Sequence, residues 1–460
     1  MSNKNKKTLF IFRRDLRVSN NTALYFALKE SQIVIPCFIF DPRQVKNNKY
    51  KSNSALHFLI ESIEELIREL KQKNRKFYIF YGNAEEIVSK LINEERIDAV
   101  YFNKDYTPFS IKRDSAIEKI CKDKQIICKT YDDVLLNKPG SIINKSGKPY
   151  TIFTPFYKNS ALLPVEVPKN VKPINLYDKS IKSEYKKNIR KLLATKSLNL
   201  VSSGGRNNVI KILKSIRKFN DYEKLSDFPG LDATTHLSPH LKFGTCSVRE
   251  VYYTVRKRFG VNHPLIKQLY WRDFFYHIAF HFPHVFGKPF YRKYSSLKWS
   301  KNKKGLNAWC KGTTGFPIVD AGMRELNTTG YMHNRVRMIV ASFLTKDLHI
   351  DWQKGEKYFA QRLVDYDPCI NNGNWQWAAS TGCDAQPYFR IFNPWRQQER
   401  FDPECRYIKK WLPELSELEP KQIHNLWKNP VSVKGYPLPI LSHEIESKIS
   451  KELYAKAARN

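Results

Sequence analysis

The stretch KFYIFYGNAEEIVSKLINEERIDAVYFN at residues 76–103 alternates between two patterns of apolar residues. Its two ends, KFYIFYG (76–82) and DAVYFN (98–103), are short runs of aromatic and β-branched residues, as expected of buried strands. The segment AEEIVSKLI (84–92) between them has helical spacing. A strand, a helix and a second strand in this order predict one crossover unit of a parallel sheet.

The same alternation extends in both directions along residues 8–135. Three more runs read as strands, TLFIF (8–12), QIVIPCFIFD (32–41) and QIICKTY (125–131). The clearest helix is SALHFLIESIEELIRELKQK (54–73), for which Ser54 is the predicted N-cap. Residues 1–135 are therefore predicted to form an α/β domain with a doubly wound parallel sheet. No GxGxxG loop follows the first strand, so the dinucleotide fingerprint is missing.

The pattern changes twice after this domain. Residues 136–200 are irregular and rich in Pro, Lys, Asn and Ser, which predicts an interdomain linker. Residues 201–460 show helical periods with almost no strand signal, and eight of the nine Trp residues lie between 271 and 411. This second domain is predicted to be all-α and unusually rich in aromatic rings.

Composition restricts the partners and the compartment. The chain has 460 residues, a net charge of +35 and a pI near 9.7, which favours a polyanion such as nucleic acid, although an AT-rich genome also enriches lysine. The longest apolar runs, such as IVIPCFIF (33–40), are too short for a membrane helix, and the N-terminus lacks a secretory signal. Eight scattered cysteines form no zinc pattern. We expect an intracellular, metal-free protein in the cytoplasm or nucleus, depending on the host.

Two segments of the second domain carry candidate chemistry. In TTHLSPHLKFG (234–244), hydroxyls and backbone N–H groups precede a helix, where they would either bind phosphate or simply cap it. In GYMHNRVRM (330–338), Asn334 and Met338 share a helical face, with Arg337 beside it. Asp365 and Asp367 follow closely. These charges fit either a structural salt bridge or a charged group held against a cofactor ring.

Taken together, five segments resemble the DNA photolyase and cryptochrome family in their order and spacing. They are FIFRRDLRVSNNTAL (10–24), TTHLSPHLKFG (234–244), YWRDFFYH (270–277), GFPIVDAGMRELNTTGYMHNRVRMIVASFLTKDL (315–348) and NNGNWQWAASTGCDAQPYFRIFNPWRQ (371–397). The resemblance implies an all-α FAD-binding C-terminal domain. It also implies light-driven repair of cyclobutane pyrimidine dimers, in which reduced FAD passes an electron to a dimer flipped out of double-stranded DNA. A monomer is expected.

The resemblance assigns cofactor contacts residue by residue. Residues implied to hold the FAD phosphates and ribitol are Tyr222, Thr234, Thr235, Leu237 and Ser238. Residues implied to contact the flavin ring are Arg337, Asp365, Asp367 and Asn371. A neutral amide at Asn371, facing flavin N5, suits a site that keeps an anionic reduced flavin.

The resemblance also separates two neighbouring tryptophans by role. Trp375 matches the flavin-proximal member of an electron-transfer chain that continues through Trp352 and Trp299. Trp377 and Trp271 would instead wall the lesion pocket, where indole can stack on flipped bases. The remaining lesion and DNA contacts implied are Gln268, Asn334, Arg335, Met338 and Arg390.

Departures from the family pattern leave alternatives open. The related (6-4) photolyases carry a His pair where this chain has Asn334 and Met338, which favours cyclobutane dimers, but Gln268 is more typical of the (6-4) group. A cryptochrome-type blue-light sensor is the other alternative. Thr107 stands where pterin-binding members use Glu, so a pterin, a deazaflavin or no antenna chromophore all fit.

Overall fold

A computed structural model describes residues 4–170, 172–193, 199–429 and 432–459. Its sheet has five parallel strands in the order β3-β2-β1-β4-β5. The strands are β1 (Asn5–Phe12), β2 (Ser31–Phe40), β3 (Tyr78–Tyr81), β4 (Ala99–Asn103) and β5 (Ile127–Tyr131). The inner strand β4 is buried at every position, which explains why it reads as a continuous apolar run. The predicted doubly wound α/β fold is confirmed.

Helices cover the sheet and build the rest of the chain. Those of the sheet half are α1 (Thr22–Glu30), α2 (Pro42–Val45), α3 (Asn53–Gln72), α4 (Ala84–Glu94) and α5 (Pro108–Asp123). The N-cap of α3 is Ser52, whose Oγ accepts a 3.1 Å hydrogen bond from the Ala55 N–H. The prediction of Ser54 was wrong, because the helix begins one residue before it.

The second half is helical, as predicted. After α6 (Phe153–Ser160) come α7 (Arg206–Lys214), α8 (Tyr222–Leu225), α9 (Ser238–Phe243), α10 (Val248–Phe259), α11 (Pro264–His281), α12 (Lys303–Lys311), α13 (Pro317–Thr329), α14 (Asn334–Ser342), α15 (Trp352–Arg362), α16 (Pro368–Ala378), α17 (Pro394–Phe401), α18 (Arg406–Trp411), α19 (Pro420–His424) and α20 (His443–Arg459). A π-helical turn spans Phe343–Asp347. Within the described ranges, no helix combines the length and the apolar character that crossing a bilayer requires.

The segment after β5 is more than a connector. Helix α6 lies inside the range predicted as a linker, and Phe153 and Phe156 are buried in the same apolar cluster as residues of α10 and α11. The backbone N–H groups of Leu136 and Asn137 donate to the Asp273 carboxylate of α11 at 2.8 and 3.2 Å. The start of this segment is therefore tied to the helical half. The three domain boundaries themselves stay predictions.

The carboxyl end of β1 meets the helical half directly. Arg14 Nε donates to the Lys242 carbonyl at 3.0 Å, and the Leu16 N–H donates to the Phe243 carbonyl at 3.1 Å. Gly244 has a φ of 64°, and a Cβ there would lie 2.0 Å from the Arg14 carbonyl oxygen. Glycine is therefore required at this contact.

Candidate functional site

The central feature of the site is an ion pair between α14 and the segment before α16. Arg337 Nη2 donates to Asp365 Oδ2 at 2.9 Å, and Ser238 Oγ donates to the same oxygen at 2.6 Å. Burial alone would lower the pKa of Arg337, but the Asp365 carboxylate outweighs it and raises that pKa. The three side chains, distant in sequence, were all predicted as cofactor contacts, and the structure brings them together.

One oxygen of this ion pair has no partner. Asp365 Oδ1 is buried and receives no hydrogen bond from the described residues. A buried carboxylate oxygen without a donor is costly, because desolvation is not compensated. A bound group with an N–H or O–H donor would satisfy it, and the ring N–H or ribityl hydroxyls of a flavin are donors of this kind. The residues present therefore fit the predicted cofactor.

Asp367, the second predicted carboxylate, is already occupied. Its Oδ1 accepts the N–H groups of Cys369 and Ile370 at 3.0 and 3.2 Å, which caps α16. Its Oδ2 accepts from Arg14 and from the Tyr276 hydroxyl. Burial would raise the pKa of Asp367, but Arg14 and Lys242 hold it well below the usual range. The structure thus gives Asp367 the role of anchoring α16 to the sheet half.

Asn371 lies one turn into α16 and is 8% exposed. Its Nδ2 donates to the Glu356 carbonyl at 3.1 Å, which leaves the amide oxygen as the free end. Neighbouring Asn372 contacts the Glu356 carboxyl at 3.4 Å. Burial raises the pKa of Glu356 to about 7. The free amide oxygen makes Asn371 suited to accept from a donor without transferring a proton.

The residues predicted to hold phosphate and ribitol lie around α8 and α9. Tyr222 opens α8 and is half-buried, and burial raises its pKa to about 12. Thr234 and Thr235 precede α9, and Leu237 is a core residue at its start. The Leu237 N–H reaches Thr235 Oγ1 at 3.4 Å. Thr234, Thr235 and Leu237 lie in the loop that leads into Ser238, whose hydroxyl bonds to the ion pair.

The predicted electron-transfer tryptophans share one apolar cluster. Trp375 and Trp352 are each 2% exposed within it, and half-buried Trp299 packs against it. The nearest rings to Trp375 are Phe359, at a centroid distance of 4.9 Å, and Trp309, at 6.2 Å. Trp377, two residues after Trp375, is only half-buried, so the two indoles have different surroundings. Trp309 and Phe359 were not anticipated, although Trp309 belongs to the Trp-rich region.

The predicted lesion contacts are more exposed than the cofactor contacts. Asn334 Nδ2 lies 3.8 Å from Met338 Sδ, so these two residues do share a helical face. Gln268 and Arg390 are exposed, and Trp271 is half-buried. Solvent-accessible groups of this kind are what a large substrate needs.

Arg335 is paired within the protein. Its Nη2 lies 2.5 Å and its Nε 3.2 Å from the two carboxylate oxygens of Asp227, and its guanidinium covers the Phe401 ring. Sequence reasoning predicted a phosphate contact at Arg335 and missed Asp227, because nothing in the sequence signals a pairing across a separation of 108 residues. The Asp227 side chain is 44% exposed, so a phosphate would compete with it for Arg335.

His333 is a buried residue that sequence reasoning missed. It caps α14, since its Nδ1 accepts from the Arg335 N–H at 3.2 Å. Its Nε2 is buried and has no hydrogen-bond partner among the described residues. Burial lowers its pKa to about 4. The sequence feature that could have pointed to His333 is its position directly before Asn334.

A second group of unpartnered donors lies at the carboxyl edge of the sheet. Arg13 follows β1 and Arg113 lies in α5, and both pair with Asp114. Each has a buried Nη2 without a hydrogen-bond partner among the described residues. Burial, with repulsion from Arg113, lowers the pKa of Arg13 to about 10. Thr107 caps α5 by accepting from the Ser110 N–H at 3.3 Å. It therefore serves the helix rather than facing a ligand.

Comparisons with known proteins agree along the whole chain. A model described as DNA photolyase matches residues 8–172, and one described as FAD binding domain of DNA photolyase matches residues 265–456. A deoxyribodipyrimidine photo-lyase of Agrobacterium fabrum is 36% identical, covering 96% of each chain. One from Alkalihalophilus pseudofirmus is 37% identical, covering 97% of this chain and 98% of the relative.

Solved structures show the same similarity. An archaeal photolyase from Sulfolobus tokodaii, with two FAD molecules, is 44% identical with a TM-score of 0.88, covering 98% of this chain and all of the other. A class III photolyase from Agrobacterium tumefaciens is 34% identical with a TM-score of 0.92, covering 100% and 99%. A Synechocystis cryptochrome is 26% identical with a TM-score of 0.89, covering 98% and 100%.

Proposed function

The chain belongs to the DNA photolyase family, and on this basis we propose that it is a light-driven deoxyribodipyrimidine photolyase that splits cyclobutane pyrimidine dimers in DNA. The observation that carries the proposal is the Arg337–Asp365 pair, whose buried carboxylate has one oxygen without a hydrogen-bond partner among the described residues. The Asn334–Met338 face lies next to it, with Asn334 exposed and Met338 half-buried. The unpartnered carboxylate oxygen suits the hydrogen-bond donors of a flavin. The uncharged Asn334–Met338 face suits the uncharged rings of a pyrimidine dimer.

Two groups of residues would hold FAD. Arg337, Asp365 and Asn371 would contact the ring, and the loop from Thr234 to Ser238, with Tyr222, would hold the phosphates and ribitol. When bound and reduced, FAD supplies the light-driven electron that opens the dimer, which is chemistry that amino-acid side chains do not provide. Arg337 would balance charge beside the ring, and Asn371 would accept a hydrogen bond without titrating.

The tryptophans of the apolar cluster would keep the cofactor active. Trp375 and Trp352 are buried in this cluster, and half-buried Trp299 packs against it. Trp375 would be the member nearest the flavin. These three indoles would carry an electron inward from the surface whenever the bound flavin is oxidised. This route serves activation, whereas repair itself uses flavin that is already reduced.

The exposed face would receive the lesion. Flipping a dimer out of the duplex costs a few kcal/mol, and less when the lesion already distorts the stack. Trp271 and Trp377 would stack on the flipped bases, and Gln268 and Asn334 would donate hydrogen bonds to pyrimidine carbonyls. Arg335 and Arg390 would bind the flanking phosphates.

The choice of lesion follows from the proton chemistry available. Repair of (6-4) adducts needs a general acid at the lesion, and neither Asn334 nor Met338 can donate a proton. Cyclobutane dimers need only an electron, together with contacts that Asn and Met can make. The test is loss of dimers from irradiated DNA under blue light with the flavin-reduced protein, beside a parallel (6-4) substrate. Repair of the (6-4) substrate alone, or no repair of either, would contradict the proposal.

We also propose a second, light-harvesting chromophore at the carboxyl edge of the sheet. Supporting it are the buried Nη2 groups of Arg13 and Arg113, at the place where open parallel sheets bind ligands. Both side chains pair with Asp114, but these two N–H donors have no hydrogen-bond partner among the described residues. The archaeal relative with two FAD molecules is described as implying a novel light-harvesting cofactor, so an anionic flavin or deazaflavin is favoured over a pterin. An absorption spectrum and chromophore extraction test this, and a single FAD per chain would contradict it.

We further propose that the protein is intracellular and monomeric. Light scattering of the flavin-loaded protein, with and without DNA, tests the oligomeric state. A mass of about 54 kDa is expected for the free protein.

A further inference from the structure

The indole of Trp271 is covered on one side by a phenyl ring from the segment between the two halves. The rings of Trp271 and Phe153 are nearly parallel, at an interplanar angle of 7°, and their centroids are 3.6 Å apart. Phe153 is 2% exposed, whereas Trp271 is half-buried. The two stacked rings form a slab in which Phe153 is the buried layer and Trp271 is the layer that reaches the surface.

Phe153 itself is held from several directions. It begins α6, and its backbone N–H donates to Asp384 Oδ2 at 3.2 Å. The Tyr157 ring stacks on it at 5.7 Å with an angle of 10°. Phe274 meets Phe153 and Trp271 edge-on, at 5.8 Å from each. Phe153 therefore has little freedom to tilt, and its position fixes the plane of the indole above it.

Asp384 connects Phe153 to the loop that carries Arg390, a proposed phosphate contact. It lies between α16 and α17, six residues before Arg390, and has a φ of 47°. Left-handed backbone at a residue other than glycine carries strain that surrounding contacts must offset. The hydrogen bond to Phe153 is one such contact, so the loop bearing Arg390 and the slab are held in register.

We propose that Phe153 is a positioning residue for lesion recognition, acting through Trp271; the inference rests on the proposed function. A flipped base gains most from stacking when the receiving plane is fixed in advance, because no rotamer freedom is then lost on binding. Phe153 supplies that fixed plane without touching the substrate. The partner is a flipped pyrimidine dimer, and undamaged duplex does not use the slab.

The test compares Phe153→Leu with two reference variants. Leu fills much of the same volume but cannot stack, so the affinity for dimer-containing DNA should fall about two- to tenfold. Phe156→Leu alters a neighbouring buried ring that contacts Phe274 instead of Trp271, and should leave dimer affinity unchanged. Phe153→Tyr keeps a stackable ring and should restore tight binding.

Three further readouts separate positioning from general stability. In Phe153→Leu, affinity for undamaged DNA, flavin photoreduction and the repair rate at saturating substrate should match those of the parent protein. In a Trp271→Ala background, adding Phe153→Leu should cause no further loss of dimer affinity, because the two act as one unit. This cycle remains informative even if Phe153→Leu lowers the unfolding midpoint.

The outcomes distinguish two failures. If the parent protein does not prefer dimer-containing DNA, the proposed function fails. If it does, the inference about Phe153 fails when Phe153→Leu binds dimers as tightly as Phe156→Leu. It also fails when the effects of Phe153→Leu and Trp271→Ala simply add.

Discussion

Asp365 is bound by Arg337 through one carboxylate oxygen, and its other oxygen is buried without a hydrogen-bond partner among the described residues. An unpaired buried oxygen costs free energy, so a bound hydrogen-bond donor at this position would stabilise the site. The arrangement therefore leaves one position for a ligand while fixing the carboxylate in place.

Asp365→Asn should weaken both flavin binding and the fold. The change leaves Arg337, whose side chain is 25% exposed, without its counter-charge, and we expect a loss of about 1–3 kcal/mol in the free energy of unfolding. Flavin content, read from visible absorbance, should fall as well. Glu414→Gln is the matched control, since it breaks the Arg324–Glu414 pair at 2.7 Å and should leave flavin content unchanged. Full flavin content in Asp365→Asn would remove this carboxylate from the cofactor site.

Trp375→Phe should block photoreduction of oxidised flavin. Phenylalanine is much harder to oxidise than tryptophan, so the inward electron path would be interrupted. Repair by protein that has been reduced chemically should persist, because that step does not use the path. Trp395→Phe is the control, since Trp395 is 5% exposed in the same apolar cluster but has no assigned role in the chain. Unchanged photoreduction in Trp375→Phe would show that another residue supplies the electron.

Arg335 and Asp227 should have opposite effects on DNA binding. Arg335→Ala removes a phosphate contact, so affinity should fall and the salt dependence should flatten by about one unit of slope. Asp227→Asn releases Arg335 from its partner, so affinity should rise. Lys122→Ala on α5 of the sheet half is the control and should change neither quantity. An unaltered slope in Arg335→Ala would place the phosphate contacts elsewhere.

Glu356→Gln should change how stability depends on pH. Burial raises the folded-state pKa of Glu356 from 4.5 to about 7, so the folded protein retains a proton that the unfolded chain releases. Stability from this group is complete below about pH 4.5 and is lost as pH rises towards 7. The isosteric amide cannot ionise, and at pH 8 the variant should be more stable by about 2–3 kcal/mol. Urea unfolding across this range measures it, and parallel pH profiles would contradict the assignment.

The sequence predicted the sheet well for a physical reason. Parallel strands covered on both faces are continuous apolar runs, so strands such as β2 and β4 stand out from the charged helices between them. Helix α6 was missed because its segment FTPFYKNS lies in a Pro- and Lys-rich region, and packing against α11 stabilises it. The N-cap of α3 was predicted at Ser54, whereas Ser52 caps the helix. Both are serines two residues apart, so residue type alone does not distinguish them.

The site was predictable where family motifs carry it. The Asn334–Met338 face can be read from helical spacing, whereas the Arg337–Asp365 pair, 28 residues apart, was implied by the resemblance to the family. Contacts between distant segments were not, because hydrophobic periodicity contains no information about which polar groups meet. The Arg335–Asp227 pair and the stacking of Phe153 on Trp271 are both of this kind.

Asp367 caps α16 with one oxygen and accepts from Arg14 and Tyr276 with the other. The helix that carries Trp375 is thus anchored to the end of a strand from the opposite half of the chain. A chimera that grafts the sheet half of one relative onto the helical half of another must transfer Arg14 and Asp367 as a matched set. Exchanging only one would break a buried ion pair at the junction of the two halves, and such hybrids should fold poorly.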